Sequence, residues 1–157
     1  MRFVWEDYDF ERHAFVDLWE SADIKRFATK RKWSDEWKYY SDSDEYNAGR
    51  DVFCKIVKDG DAVLAALIVF CDPKYPLSIN PIVVNPKYCG RGYGFAVLKE
   101  LVENADKIFP SRVNGTFEVV VSKKNIASVK IFKKLGFMEK PDCENDGHIR
   151  FVKLAYR

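Results

Sequence analysis

Between a strand-like and a helix-like stretch the chain carries Val83-Val84-Asn85-Pro86-Lys87-Tyr88-Cys89-Gly90-Arg91-Gly92-Tyr93-Gly94. Glycine at alternate positions lets a backbone approach a ligand closely and adopt φ angles closed to other residues. Apolar periodicity predicts a helix next, roughly Tyr93 to Lys107, which turns its free N–H groups and positive dipole end into the loop. Lys87 and Arg91 add positive charge. The arrangement suits a diphosphate. A surface turn with a good helix start uses the same residues, so this run alone leaves both readings open. The nucleotide-triphosphate loop is excluded, because it ends in Gly-Lys-Ser/Thr and here Phe95-Ala96 follows Gly94. The dinucleotide fingerprint is excluded too, since Phe95 stands where its third glycine belongs.

A second constellation lies downstream. Thr116–Val121 is rich in β-branched residues and leads through Ser122-Lys123-Lys124 to Asn125, a good helix cap. Ser128, Phe132 and Gly136 then fall on one helical face, and Gly136 stops the helix before Phe137.

From Ser78 to Phe137 the two segments together resemble the GNAT superfamily of acyl-CoA-dependent N-acyltransferases. The family's glycine signature is Gln/Arg-x-x-Gly-x-Gly/Ala. Cys89-Gly90-Arg91-Gly92-Tyr93-Gly94 matches it at the glycines and departs from it at Cys89. The second signature runs Asn, a small residue, commonly Tyr, then Gly-Phe. Here these are Asn125, Ser128, Phe132 and Gly136-Phe137, so a hydroxyl is missing. The resemblance implies one domain over residues 1–157 and an α/β (mixed α+β) fold. Its twisted sheet is mixed but mostly antiparallel, of about six or seven strands, with about four flanking helices. It implies acetyl-CoA as cosubstrate, no metal, and direct transfer in a ternary complex to a primary amine of a small molecule or peptide. A homodimer stays open. The alternative is a catalytically weak or inactive module of the same fold that holds CoA or a protein partner.

The resemblance also implies roles. The backbone of Ile82, Val83 and Val84 lies along the pantetheine arm, with the Ile82 N–H meeting the thioester oxygen, a contribution of a few kcal/mol. Pro81, which cannot donate to a ladder, fits a strand released from pairing there. Cys89, Gly90, Arg91, Gly92, Tyr93, Gly94 and Phe95 surround the diphosphate, and Asn125, Ser128 and Phe132 line the arm. An alkylamine of pKa about 10.4 must lose a proton before it attacks. Some family members place a glutamate on the strand before the loop, where this chain has Ser78. The remaining bases are Asp72, Glu118, the Asp142–Asp146 loop and His148, the only histidine near the implied cleft and the base chosen here. Cys89, near a helix N-terminus and two cations, is expected to have a lowered thiol pKa if it serves a redox-responsive site; the alternative is a small residue filling space in the loop.

The elements that must position these groups fit one domain of 157 residues, 47% hydrophobic and 32% charged. A net charge of +2 gives no reason to expect nucleic acid, and Lys25-Arg26…Lys30-Arg31-Lys32 reads as a solvated loop or helix face, with a basic patch for phosphate or nucleic acid as the alternative. Cys54, Cys71, Cys89 and Cys143 show no Cys-x-x-Cys pairing, which argues against a zinc knuckle. The first residues lack an apolar signal core and no window is long enough for a membrane span, so a cytoplasmic protein with reduced thiols is expected. A strand over Arg2–Tyr8 precedes a helix over Phe10–Trp19 that buries Phe10, Ala14 and Leu18. Ser34 starts a short helix reaching Tyr40, with Trp33 and Trp37 covering the sheet. Asp42–Arg50 is polar and without a predicted element. Asp51–Val57 and Ala62–Phe70 form a hairpin at Asp59-Gly60. Leu77–Val84, bulged at Pro81, leads into the glycine loop. The long helix buries Phe95, Leu98, Leu101, Val102 and Ala105. Strand 116–121, helix 125–135 and a strand near His148–Ala155 complete the order.

Overall fold

The computed structural model describes residues 3–19, 32–42, 50–109, 115–140 and 147–154. Seven strands form one sheet: β1 (Val4–Asp7), β2 (Asp51–Asp59), β3 (Ala62–Asp72), β4 (Tyr75–Val84), β5 (Thr116–Ser122), β6 (Met138–Lys140) and β7 (His148–Leu154). Their order is β1-β2-β3-β4-β5-β7-β6. Among the described residues only β4 and β5 pair in parallel. The α-helices are α1 (Trp33–Asp42), α2 (Tyr93–Ile108) and α3 (Ile126–Lys134), joined by 3-10 helices at Ala14–Trp19 and Pro86–Tyr88. The mixed, mostly antiparallel sheet expected from the sequence is present.

β3 explains the centre of the molecule. Its run Leu64–Cys71 is buried throughout, because helices cover both faces and neither side needs polar residues. Ala65, Leu67 and Val69 face α2 and α3, together with Val97, Leu98, Leu101, Phe117, Val119, Phe132 and Phe151. Ala66, Ile68 and Phe70 face the other way, under Val16, Trp19, Trp33 and Tyr40. The hairpin at Asp59-Gly60 forms as expected, with Gly60 at φ 60°. A buried carboxylate fastens the first strand. Glu100 of α2 accepts hydrogen bonds from the Phe3 N–H at 3.2 Å and the Trp5 indole at 3.3 Å.

Three expectations change. Phe10–Trp19 is not an α-helix burying Phe10 and Leu18, which are 66% and 85% exposed. His13, Val16 and Trp19 are buried instead, at the three-residue spacing of a 3-10 helix. The Asp9 carboxylate accepts from the Glu11 and Arg12 N–H groups, and this turn sets the rotation of the segment. In α2, Phe95 and Val102 are only half-buried, while Val97 and Ile108 join the core. The short edge strand β6 carried no recognisable periodicity. Trp33 and Trp37 do cover the sheet as expected. The Trp33 indole donates to Cys54 Sγ at 3.3 Å, and burial pushes that thiol up to about 12. The basic cluster Lys25–Arg31 and most of Asp42–Arg50 lie outside the described residues.

Candidate functional site

The site begins where a strand pair ends. β4 pairs with β5 only at Leu77↔Phe117, Ser78↔Glu118 and Ile79↔Val119. On its other side β4 stays bonded to β3 as far as Ala65↔Val84. Between Val69↔Ile79 and Leu67↔Ile82 it holds one more residue than β3 does, a bulge at Asn80-Pro81. The bulge re-phases the strand. Ile82 packs with the α2–α3 core, and Val83 is buried on the α1 side. The Asn85 N–H donates to the Leu64 carbonyl at 2.8 Å. Alternation from that bond turns the Val83 N–H toward β3, and the Ile82 and Val84 N–H groups toward the gap beside β5. Two backbone donors therefore point into an opening that β5 has left.

The loop beyond is built by local bonds. Asn85 accepts from the Lys87 N–H at 3.0 Å and donates through Nδ2 to the Val63 carbonyl at 2.9 Å. Pro86 starts the 3-10 turn, where its missing N–H costs nothing. Gly90 and Gly92 have φ of 78° and 83°, the left-handed region. Gly94 does not. It is helical, and a Cβ there would meet Ile131 and Val84 at 3.6 Å, so its part is close packing of α2 on β4 and α3. The first bond of α2 runs from the Ala96 N–H to the Gly92 carbonyl, and no side chain caps the helix. The N–H groups of Tyr93, Gly94 and Phe95 therefore have no acceptor within the helix and no capping side chain. Arg91 is exposed on this loop, and the Tyr88 and Tyr93 rings meet edge-on at 5.6 Å. The Phe95 ring lies beneath Lys134 Nζ at 4.4 Å.

Cys89 corrects an expectation. Its Sγ is turned back onto the Val84 carbonyl at 3.7 Å, and burial holds its thiol above the ordinary value, not below it. The sulfur faces a carbonyl.

The second constellation meets the same opening. Asn125 caps α3, accepting from the Ser128 N–H at 3.2 Å. Ser128 is half-buried beside it. The Phe132 ring is buried in the core, edge-on to Phe137 at 5.1 Å and stacked on Phe151 at 6.1 Å.

The candidate bases are scattered. Asp72 sits in the β3–β4 turn, accepting from the Lys74 N–H at 2.7 Å. It lies five residues along β3 from the partner of Ile82, about 17 Å of strand. His148 is half-buried opposite Ser122, with β5 between it and β4. Asp142–Asp146 lies outside the described residues. Glu118, next to Ser78 in the ladder, is ion-paired with Arg150, whose Nη2 and Nε reach its Oε2 at 3.0 and 3.3 Å. Arg150 was missed from sequence. The alternation of His148 and Arg150 with Ile149 and Phe151 was the available signal of a strand with a charged face. Among the described residues no cluster could hold a metal ion, and no helix is long and apolar enough to cross a membrane.

The acetyltransferase (GNAT) domain family matches residues 2–138. The chain is 31% identical over 96 residues to L-2,4-diaminobutyric acid acetyltransferase of Shouchella clausii, covering 60% of this chain and 52% of that protein. It is 35% identical over 75 residues to an uncharacterised N-acetyltransferase of Methanocaldococcus jannaschii, covering 48% and 30%. The chain thus spans about half the length of the first of these curated relatives and under a third of the second. Spermidine N-acetyltransferase of Vibrio cholerae, solved with CoA and spermine, superposes with a TM-score of 0.72 at 12% identity, over 98% of this chain and 96% of that one. An aminoglycoside N(6')acetyltransferase of Legionella pneumophila gives 0.73 at 17%, over 98% and 92%. At such identities these structures speak for the fold. With the splayed strand pair, the glycine loop and a family match across most of its length, the chain belongs to the GNAT acetyltransferase family.

Proposed function

We propose that this protein transfers an acetyl group from acetyl-CoA directly to a primary amine of a small molecule or peptide. The observation that carries the reading is the end of the β4–β5 ladder at Ile79↔Val119, with the Ile82 and Val84 N–H groups turned into the gap beside a side-chain-free helix start. In this reading Gly90 to Phe95 hold the diphosphate, with Arg91 pairing its charge, and Val83, Val84, Ser128 and Asn125 flank the pantetheine arm. Asn125 uses its Oδ1 to cap α3, so its Nδ2 is the group offered to the arm.

The neutral amine attacks the thioester carbonyl carbon, and negative charge develops on the carbonyl oxygen. The Ile82 N–H donates to that oxygen, fixed in place before the charge appears. The tetrahedral intermediate collapses, the C–S bond breaks, and an amide and a CoA thiolate form. The amine's proton passes to His148 through water. Because Phe132 offers no hydroxyl, the thiolate leaves as such. With a thiol pKa of about 8.5 this costs only about 2 kcal/mol at pH 7, and water protonates it afterwards.

The test has two stages. Isothermal titration should show CoA binding, and bound ligand should raise the melting temperature. Acetyl-CoA with a panel of amines should then release free thiol. Absence of binding at millimolar CoA would end this reading. Binding without thiol release from any amine would favour a module that holds CoA without turnover, as Ser78 and Phe132 allow.

A further inference from the structure

On the sheet face that carries α1, one row of partners crosses four strands: Phe70 on β3, Ser78 on β4, Glu118 on β5 and Val152 on β7. Tyr40, near the end of α1, closes over Phe70 with ring centroids 5.3 Å apart. There the described cover stops. The buried cluster under α1 takes members from β2, β3 and β4 but none from β5 or β7, and Val120 is 47% exposed. The opposite face is closed near the gap, where Gly94 packs α2 against Val84 and Ile131. An acceptor that reaches Ile82 over the face left open by the described residues passes Glu118.

Glu118 is unusual in this floor. Both bonds from Arg150 to Glu118 end on one oxygen, Oε2, and Oε1 meets no donor among the described residues. Its side chain is 24% exposed, within reach of a ligand yet fixed by the guanidinium. Arg150 stands opposite Val120, two residues farther along β5, so it draws the carboxylate toward the end of the strand where the gap opens. The spacing follows from the ladder. Ser78 pairs with Phe70 and Ile82 with Leu67, three residues apart on β3, or about 10 Å. The Cα atoms of Glu118 and Ile82 are thus about 11 Å apart, and the Glu118 side chain, drawn toward the gap, spans part of that distance toward an amine placed before the Ile82 N–H.

We propose that Glu118, oriented by Arg150, anchors a second ammonium of the acceptor, so that the protein prefers diamines and polyamines and acetylates the amine that reaches Ile82. The inference rests on the acetyl-transfer reading above. A second amine of pKa about 10.4 stays protonated at neutral pH and is available as a cation while the reacting one loses its proton. A charge-assisted bond to a partly desolvated carboxylate is expected to favour such acceptors by about tenfold or more.

Initial rates of thiol release from acetyl-CoA should be compared for putrescine, cadaverine, spermidine and butylamine. The expected result is kcat/KM for the diamines at least about tenfold above that for butylamine. Glu118→Gln keeps the shape and removes the charge. It should bring the ratio of putrescine to butylamine down to about one, with the acetyl-CoA KM unchanged. Equal use of butylamine by the wild-type protein, a Glu118→Gln variant that keeps the diamine preference, or turnover of none of the four amines would overturn the proposal. CoA titration on the same samples separates the failures. CoA bound without diamine preference removes only this inference, whereas no CoA binding removes the donor reading with it.

Discussion

Two helices begin at the same cleft, and they begin differently. At the start of α3 the Asn125 side chain accepts from the Ser128 N–H, so the terminus is closed by its own sequence. At the start of α2 no side chain does this. Gly90 and Gly92, both at positive φ, carry the chain into the helix and leave its first-turn donors facing the loop. Basic residues precede both termini, Lys87 and Arg91 in one case and Lys123 and Lys124 in the other. Charge therefore does not distinguish them; the cap does. A helix that spends a side chain on its own N–H groups gains stability, and one that withholds it keeps those groups for an anion.

The sharpest way to break this contrast is Gly92→Glu. The substitution puts a side chain at φ 83°, and a negative charge into the open space where nothing lies within 4 Å of a Cβ. CoA affinity should fall by on the order of a hundredfold or more, about 3 kcal/mol. The backbone strain of about 1–2 kcal/mol should lower the melting temperature by only a few degrees. If titration shows CoA binding within a few-fold of wild type, the diphosphate does not sit at α2.

At the other terminus, cap and ligand contact can be separated. Asn125→Asp keeps the accepting oxygen and loses the Nδ2 donor. The melting temperature should hold, and CoA affinity should weaken by up to about tenfold, the worth of one hydrogen bond. Asn125→Ala loses both and should also cost about 1 kcal/mol of stability. Full CoA affinity in Asn125→Asp would reduce the residue to a cap.

The smallest effect is expected one turn past Ser128. Phe132→Tyr places a hydroxyl in the cluster of Phe137 and Phe151, at a cost of about 1–3 kcal/mol if the group finds no partner. The acetyl-transfer rate should stay within about tenfold, since positioning and oxyanion stabilisation carry most of the catalysis. A rate gain of about a hundredfold would show instead that a general acid is what α3 lacks.

Much of this site was legible in the chain because it is made by neighbours in sequence. The Asp59-Gly60 hairpin, the Asn125 cap, the stop at Gly136 and the bulge at Pro81 each follow from what a few adjacent residues can and cannot do with their backbones. The glycine loop belongs to this group, except that Gly94 proved to be a packing position, decided by Val84 and Ile131. The same limit explains the errors. Whether Phe10 and Leu18 or Val16 and Trp19 go inside depends on how the segment lies on β2 and β3, which periodicity over so short a stretch does not carry. Cys89 was placed near positive charge by sequence, but its side chain turns to Val84.

What tertiary structure alone decided is the Glu118–Arg150 pair beside the gap, where the acceptor is proposed to lie. Glu118 and Arg150 are 32 residues apart, and Glu118 and Ser78 meet through the parallel pairing of β4 with β5. Such neighbours are set by the order and register of strands, and a one-residue slip would send each side chain to the opposite face. The glycine loop proposed to hold the donor is written in local backbone chemistry, which a sequence displays. The Glu118–Arg150 pair proposed to choose the acceptor is written in register, which appears only when the sheet closes.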